Sequence, residues 1–257
     1  LSGTVVNPPE TVYLEGLDRI EGQASVEIKD PDLCYRYTAT LITGIKVEPS
    51  PYWMQKRLMD VGMRPINNVV DITNYVMLDL NRPLHVYDAD KLGIALECRA
   101  ATPGEDLQAL NNKTYTLSPK ESVMADENNC LGLAGIIGAS ASGCSQDTKH
   151  VFLECAYFDP IEVSLMGRQH AIITDSRYRM ERGIDKRSCE TGMDLLTQFI
   201  MEACGGEPST VIQAGELPPL HGPILFKPAL IRKRCGLTLP LSTCVSLLEK
   251  LGMEVTQ

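Results

Sequence analysis

Between residues 94 and 157 the apolar residues come in runs too short for helices, and this break constrains the fold more than any other feature of the chain. Strands are expected over 94–100, 107–110, 115–117, 123–125, 132–137 and 151–157. Asn111-Asn112 and Glu127-Asn128-Asn129 supply turns between them, because Asn tolerates left-handed backbone. A further β-branched strand is expected over 37–45. Helical patterns bracket this region. Ser50 and Pro51 read as N-cap and first residue of a helix that carries Trp53, Met54, Leu58 and Met59 on one side and stops at Gly62. A second helix is expected over 69–80. Asp159-Pro160-Ile161-Glu162 has the cap, the N1 proline and the reaching-back Glu of a helix running to about His170. Cys189, Met193, Leu196, Ile200 and Ala203 keep helical spacing over 185–204, and Gly205-Gly206 ends that run. The class expected is α+β: a central, mostly antiparallel sheet flanked by helices.

Residues 1–30 are acidic and mixed, with no sustained period, and read as a lead-in from a preceding domain. Residues 31–215 form the main module. Three prolines within 216–223 mark a linker, so 216–257 reads as a linker plus a separate, truncated unit. In that unit 242–251 reads as an amphipathic helix with Val245, Leu248 and Leu251 inward, and the basic triplet Arg232-Lys233-Arg234 reads as a solvated face before a nucleic-acid site. The chain opens at Leu1 without an initiator Met, and both ends are expected to be cuts in a longer polypeptide.

A net charge of −9 is the wrong sign for gripping a nucleic-acid backbone by electrostatics alone, so any RNA contact has to be local. No stretch approaches the roughly 18 apolar residues of a membrane span. Nine cysteines with no C-x-x-C pair argue for reduced thiols and against a zinc site or a disulfide framework. Neither H-E-x-x-H nor a P-loop occurs, so zinc-hydrolase and nucleotide-hydrolysis chemistry have no support.

Pattern alone leaves the chemistry-bearing residues open. Glu154 sits in the apolar run Val151-Phe152-Leu153-Glu154-Cys155, either facing water from an alternating strand or buried beside a partner. His85 lies at a turn between a helix and the sheet, where a lone His is usually structural. Gly138 is a turn glycine or a point of close backbone approach. Thr174 and Ser176 flank Asp175 in a polar turn that is equally a helix cap. Arg64 and Asn74 read as ordinary surface or turn residues.

Longer motifs narrow this. Residues 63–76, from Met63-Arg64-Pro65-Ile66-Asn67-Asn68 through Asn74-Tyr75-Val76, are followed by Arg82-Pro83-Leu84-His85-Val86-Tyr87-Asp88. Further on come Leu133-Ala134-Gly135-Ile136-Ile137-Gly138, Leu153-Glu154-Cys155-Ala156-Tyr157-Phe158 and the run Thr174-Asp175-Ser176-Arg177-Tyr178-Arg179. In one colinear order over 31–215, these resemble the β subunit of bacterial phenylalanyl-tRNA synthetases, and specifically its editing module. The tail from Pro223 more weakly resembles the start of a winged-helix-like domain.

The resemblance implies hydrolysis of tRNA(Phe) mischarged with tyrosine. A pocket fitted to phenylalanine rejects an added hydroxyl only about a hundredfold, whereas a second site that hydrogen-bonds the phenol discriminates far better. It implies that Glu154 accepts the tyrosine hydroxyl, that His85 orients the attacking water, and that the Gly138 backbone meets the oxyanion. Thr174 would lie near the water, Ser176 on the pocket wall, Arg64 at the terminal ribose or phosphate, and Asn74 at the amino acid. No cofactor is implied for this stretch; ATP and Mg belong to the complete enzyme. The implied partners are the α subunit, in a heterotetramer of two α and two β subunits, and the 3′ end of tRNA(Phe), in the cytoplasm and without a membrane. The alternatives are a non-catalytic tRNA-binding or subunit-assembly module and a binder of free aromatic amino acids. Ala139 stands where the family usually has a second glycine, and its methyl is expected to narrow the pocket or shift the turn.

Overall fold

The computed structural model describes residues 25–219 and 222–256; residues 1–24 of the lead-in, 220 and 221 of the proline-rich stretch, and 257 lie outside the described residues. The chain divides into two compact units, Leu1–Leu217 and Pro218–Gln257.

In the first unit, β10 (His150–Phe158) is the spine of one sheet, paired antiparallel with β2 (Cys34–Thr43) on one side and β3 (His85–Asp88) on the other. Two short strands, β11 (Glu207–Pro208) and β12 (Ile212–Gly215), add to the outer edge of β2. A second sheet has the order β1 (Ser25–Ile28), β4 (Ala95–Ala100), β7 (Ser122–Ala125), β8 (Cys130–Leu133), β9 (Ile137–Gly138), antiparallel except for β1 beside β4. A separate hairpin joins β5 (Asp106–Gln108) to β6 (Thr114–Thr116). The expected strands therefore fall into two main sheets and this hairpin. Helices α1 (Tyr52–Asp60), α2 (Asn68–Leu80), α3 (Pro160–Gln169), α4 (Asp175–Met180) and α5 (Ser188–Cys204) complete the unit, and the class is α+β.

β10 is apolar along nearly its whole length because both its faces are buried. Val151, Leu153 and Cys155 join a core built with α1, α2 and α5. Phe152, Ala156 and Phe158 join a second core with the other sheet and α3. The two-residue period of a strand puts Glu154 on this second face, with Phe152 and Ala156.

Most helix boundaries follow local signals. Asp159 accepts from Ile161 and Glu162 N–H with Pro160 at N1 of α3, and Gly205 takes φ 72° after α5. Three readings change. Ser50 does not cap α1; Pro51 occupies that position and the Ser50 hydroxyl donates to the buried Asp71. Residues 132–137 are not one strand but a hairpin, reversed at Gly135, whose φ of +70° suits glycine. The α5 helix begins at Ser188, three residues later than expected.

The second unit carries α6 (Ala229–Cys235) and α7 (Leu241–Lys250). In α7 Cys244 is buried and Val245 and Leu248 are half-buried, but Leu251, read as inward, is 60% exposed.

Candidate active site

Two diagonal contacts define the centre of the site. Tyr37 on β2 pairs in register with Ala156 and Tyr87 on β3 pairs with Phe152, so each tyrosine stands two residues from Glu154 on the same face. Both phenols donate to the same atom, Glu154 Oε2, at 2.8 Å from Tyr37 and 2.7 Å from Tyr87. The other oxygen, Oε1, receives no hydrogen bond among the described residues. Glu154 is 7% exposed and that surface lies on a cavity of about 480 Å³. Burial raises its carboxyl above the usual value, and the two phenols partly oppose this. Of the two readings open from sequence, the buried, partnered carboxylate is the one observed.

His85 is the register partner of Glu154 across β10 and β3. Its ring meets Tyr87 edge-on, with centroids 4.3 Å apart and planes at 75°. On its other side it lies against Gly138, where a Cβ would come within 2.5 Å of the imidazole Cε1 and 2.7 Å of Nε2. Only glycine leaves room for the ring. His85 keeps part of its surface on the cavity, but the protein around it desolvates the imidazole and lowers its pKa from 6.5 to about 4, so it is neutral at pH 7. Among the described residues neither ring nitrogen has a hydrogen-bond partner, which leaves both for a ligand or water.

The Gly138 backbone is also set by pairing. Ala139 N–H bonds Leu131 C=O at 2.7 Å, so by the alternation of an antiparallel ladder the Gly132/Gly138 pair is the non-hydrogen-bonded one. Gly138 N–H consequently points away from β8, toward the edge where its carbonyl accepts from Leu110 N–H at 3.0 Å. Ala139 is buried in the core and does not line the cavity, so its methyl does not narrow the pocket.

Thr174 is the N-cap of α4: its hydroxyl donates to Ile136 C=O at 2.8 Å and accepts from Arg177 N–H at 3.1 Å. Ser176 donates to Gly135 C=O at 2.9 Å. Both hydroxyl protons are thus committed to the β8–β9 turn, and each side chain offers a ligand only lone pairs. Arg64 and Asn74 close another wall. Asn74 projects from α2, and the loop carrying Arg64 is fixed by Asp71, which accepts from Ile66 N–H at 2.8 Å as well as from Ser50. Arg64 is exposed and has no partner among the described residues. All seven residues singled out from the sequence, Arg64, Asn74, His85, Gly138, Glu154, Thr174 and Ser176, line this one cavity.

Sequence reading missed Tyr37, Tyr87 and Arg82. Arg82 is fully buried and gives its guanidinium to Ala156 C=O at 2.8 Å, Ser188 Oγ at 2.9 Å and Asp185 C=O, tying the segment before His85 to β10 and to the start of α5. The motif from Arg82 to Asp88 was visible, but the tyrosines and the arginine acquire their meaning only from residues far along the chain. All nine cysteines are free thiols. Among the described residues no group of three or more His, Cys, Asp or Glu is placed to hold a metal ion.

The family of B3/4 domains matches residues 33–205, which takes in β2, β3 and β10 of the spine sheet, the second sheet except β1, and every residue of the cavity. The chain belongs to this B3/4 domain family. Among curated relatives, the phenylalanine--tRNA ligase beta subunit of Cereibacter sphaeroides is 43% identical over 222 residues, covering 86% of this chain and 28% of the relative. That of Rhodopseudomonas palustris is 41% identical over 244 residues, covering 93% and 30%. The B3/4 chain thus spans less than a third of the length of these relatives. The likeness to synthetase β subunits read from the motifs is borne out. A crystal structure of an N-terminal fragment of the phenylalanyl-tRNA synthetase beta-subunit from Pyrococcus horikoshii shares the fold, with a TM-score of 0.51 at 16% identity, covering 96% of this chain and 70% of that one. Among the described residues no helix is long and apolar enough to cross a membrane.

Proposed function

We propose that this cavity is the proofreading site of a phenylalanine--tRNA ligase β subunit, hydrolysing the ester of tyrosine mischarged onto tRNA(Phe). The observation that carries the reading is the state of Glu154: a buried carboxylate on the cavity wall with one oxygen saturated and the other unpaired. A tyrosine side chain supplies the missing donor, as a charge-assisted hydrogen bond. Phenylalanine brings an apolar edge to the same place and leaves a carboxylate desolvated and unpaired, a cost that rejects it.

Water is the nucleophile. Neutral His85 accepts a hydrogen bond from that water, orienting and polarising it as the oxygen attacks the ester carbon. The Gly138 N–H stabilises the charge developing on the carbonyl oxygen. With its own proton committed, Thr174 accepts from the water and orients it. The water's proton passes to the departing ribose oxygen, and the products are tyrosine and uncharged tRNA. Asn74 positions the amino acid, Ser176 lines its path and Arg64 holds the terminal ribose or phosphate.

The partners are the α subunit, in a tetramer of two α and two β subunits, and the 3′ end of tRNA(Phe). ATP and Mg serve aminoacylation by the complete enzyme, and no cofactor is assigned to this cavity. Deacylation of tRNA(Phe) carrying tyrosine against tRNA(Phe) carrying phenylalanine tests the reading.

A further inference from the structure

We propose, on the basis of the hydrolytic reading above, that Tyr37 and Tyr87 determine the specificity of the site by positioning Glu154: their two phenols clamp one carboxylate oxygen so that the other is the single acceptor facing the cavity. A carboxylate has two acceptor positions on each oxygen. At 2.8 and 2.7 Å the phenols fill both on Oε2. They approach from opposite neighbours of β10, one on β2 and one on β3, so the carboxylate is braced on both flanks. A carboxylate free to rotate would offer either oxygen in many directions and would accept water as readily as a phenol. Braced, it offers one oxygen in one place.

The clamp also decides where a proton can bind. Burial, together with the adjoining carboxylate, pushes both phenols well above their ordinary values, so each keeps the proton it donates. With Oε2 occupied by two donors, protonation of Glu154 falls on Oε1, the atom that must accept from the ligand. Acid therefore competes directly with the phenol of the substrate. The groups facing this carboxyl are Tyr37 and Cys34 from β2 and Tyr87 and His85 from β3, with Cys155 next to it on β10 but on the opposite face. Beyond the tyrosines lie Cys98 and Cys130 of the second sheet, and Arg64 and Asp175 line the same cavity. Of these, only the two tyrosines donate hydrogen bonds to it.

The experiment uses the complete two-subunit enzyme carrying Tyr37→Phe or Tyr87→Phe, each of which removes one oxygen from a buried ring. Deacylation of tyrosyl- and phenylalanyl-tRNA(Phe) is measured across a pH series. Each variant is expected to lower the preference for the tyrosyl ester by about tenfold, the scale of one hydrogen bond to a charged group. The pH at which acid erases half of that preference is expected to move upward, because one donor fewer stabilises the anion. A merely structural role would slow both esters alike and leave that pH in place, and this result in both variants overturns the proposal. A wild type with no preference rejects the proofreading reading itself, a separate outcome. One further measurement needs no folded variant: in the 257-residue chain, the two phenol protons should give downfield, slowly exchanging proton resonances, and fast-exchanging phenols would contradict the clamp.

Discussion

Glu154 and His85 are register partners across the β10–β3 pairing, and both line the same cavity. They differ in what holds them. Glu154 is bound by two phenols, whereas His85 is held by ring packing and the bare backbone of Gly138 and makes no hydrogen bond among the described residues. The first arrangement suits recognition, and the second leaves an imidazole free to engage water.

Glu154→Ala is expected to change selectivity more than rate. The tyrosyl ester loses a hydrogen bond worth about 1.5–3 kcal/mol, while the phenylalanyl ester is relieved of an unpaired carboxylate. Deacylation rates for the two should converge. A preference for tyrosine that survives would move recognition of the hydroxyl to another wall residue such as Ser176.

His85 should remain neutral well below the usual histidine range. Nitrogen-detected titration of its ring is expected to give a midpoint near 4, and one near 6.5 would show that the site is wetter than the structure indicates. The same shift links to stability. Between pH 6.5 and about 4 the unfolded chain binds a proton that the folded chain refuses, so this contribution is intact above 6.5 and is lost as the pH falls. It amounts to about 3 kcal/mol, read as the difference in acid stability between wild type and His85→Gln.

Replacing His85 by Ala should slow deacylation and leave phenylalanine activation unchanged, because the proposed reading gives this cavity no part in the ATP-dependent reaction. Gly138→Ala should have a similar effect by a different route, since the new methyl would stand 2.5 Å from the imidazole Cε1 and displace the ring. Its cost in stability is expected to be about 1–3 kcal/mol, as for other overpacked sites. A fully active Gly138→Ala enzyme would show that the ring's seat against the strand is dispensable.

Arg82→Ala should be the most destabilising of these changes. It strips the guanidinium from the Ala156 carbonyl, leaves the Asp185 carbonyl to Ser188 alone, and opens a cavity behind the segment leading to His85. A loss above about 3 kcal/mol in urea unfolding is expected. A change under about 1 kcal/mol would mean that water replaces the guanidinium at no great cost.

Legibility in the sequence tracked the range of the interaction. The α3 cap could be read because Asp159 and the N–H groups it accepts from lie within three residues of each other. Ser50 looked like a cap by the same local rule, but its hydroxyl goes to Asp71, 21 residues on. Strand β1 escaped notice because its partner, β4, is about 70 residues away and runs parallel to it. The environment of Glu154 was undecidable for the same reason: Tyr37 and Tyr87 are 117 and 67 residues distant, and a strand buried on both faces has no alternation to reveal which way a carboxylate points. Family motifs supplied the membership of the site. They did not supply the brace behind Glu154, the commitment of the Thr174 and Ser176 protons, or the reason Gly138 carries no side chain.

The most direct test of the central claim is the deacylation time course of tRNA(Phe) carrying tyrosine beside that of tRNA(Phe) carrying phenylalanine, with the complete enzyme. Rapid hydrolysis of the tyrosyl ester and slow hydrolysis of the phenylalanyl ester, with the difference removed by Glu154→Ala, is the predicted result. Equal rates for the two esters in the wild-type enzyme would contradict it.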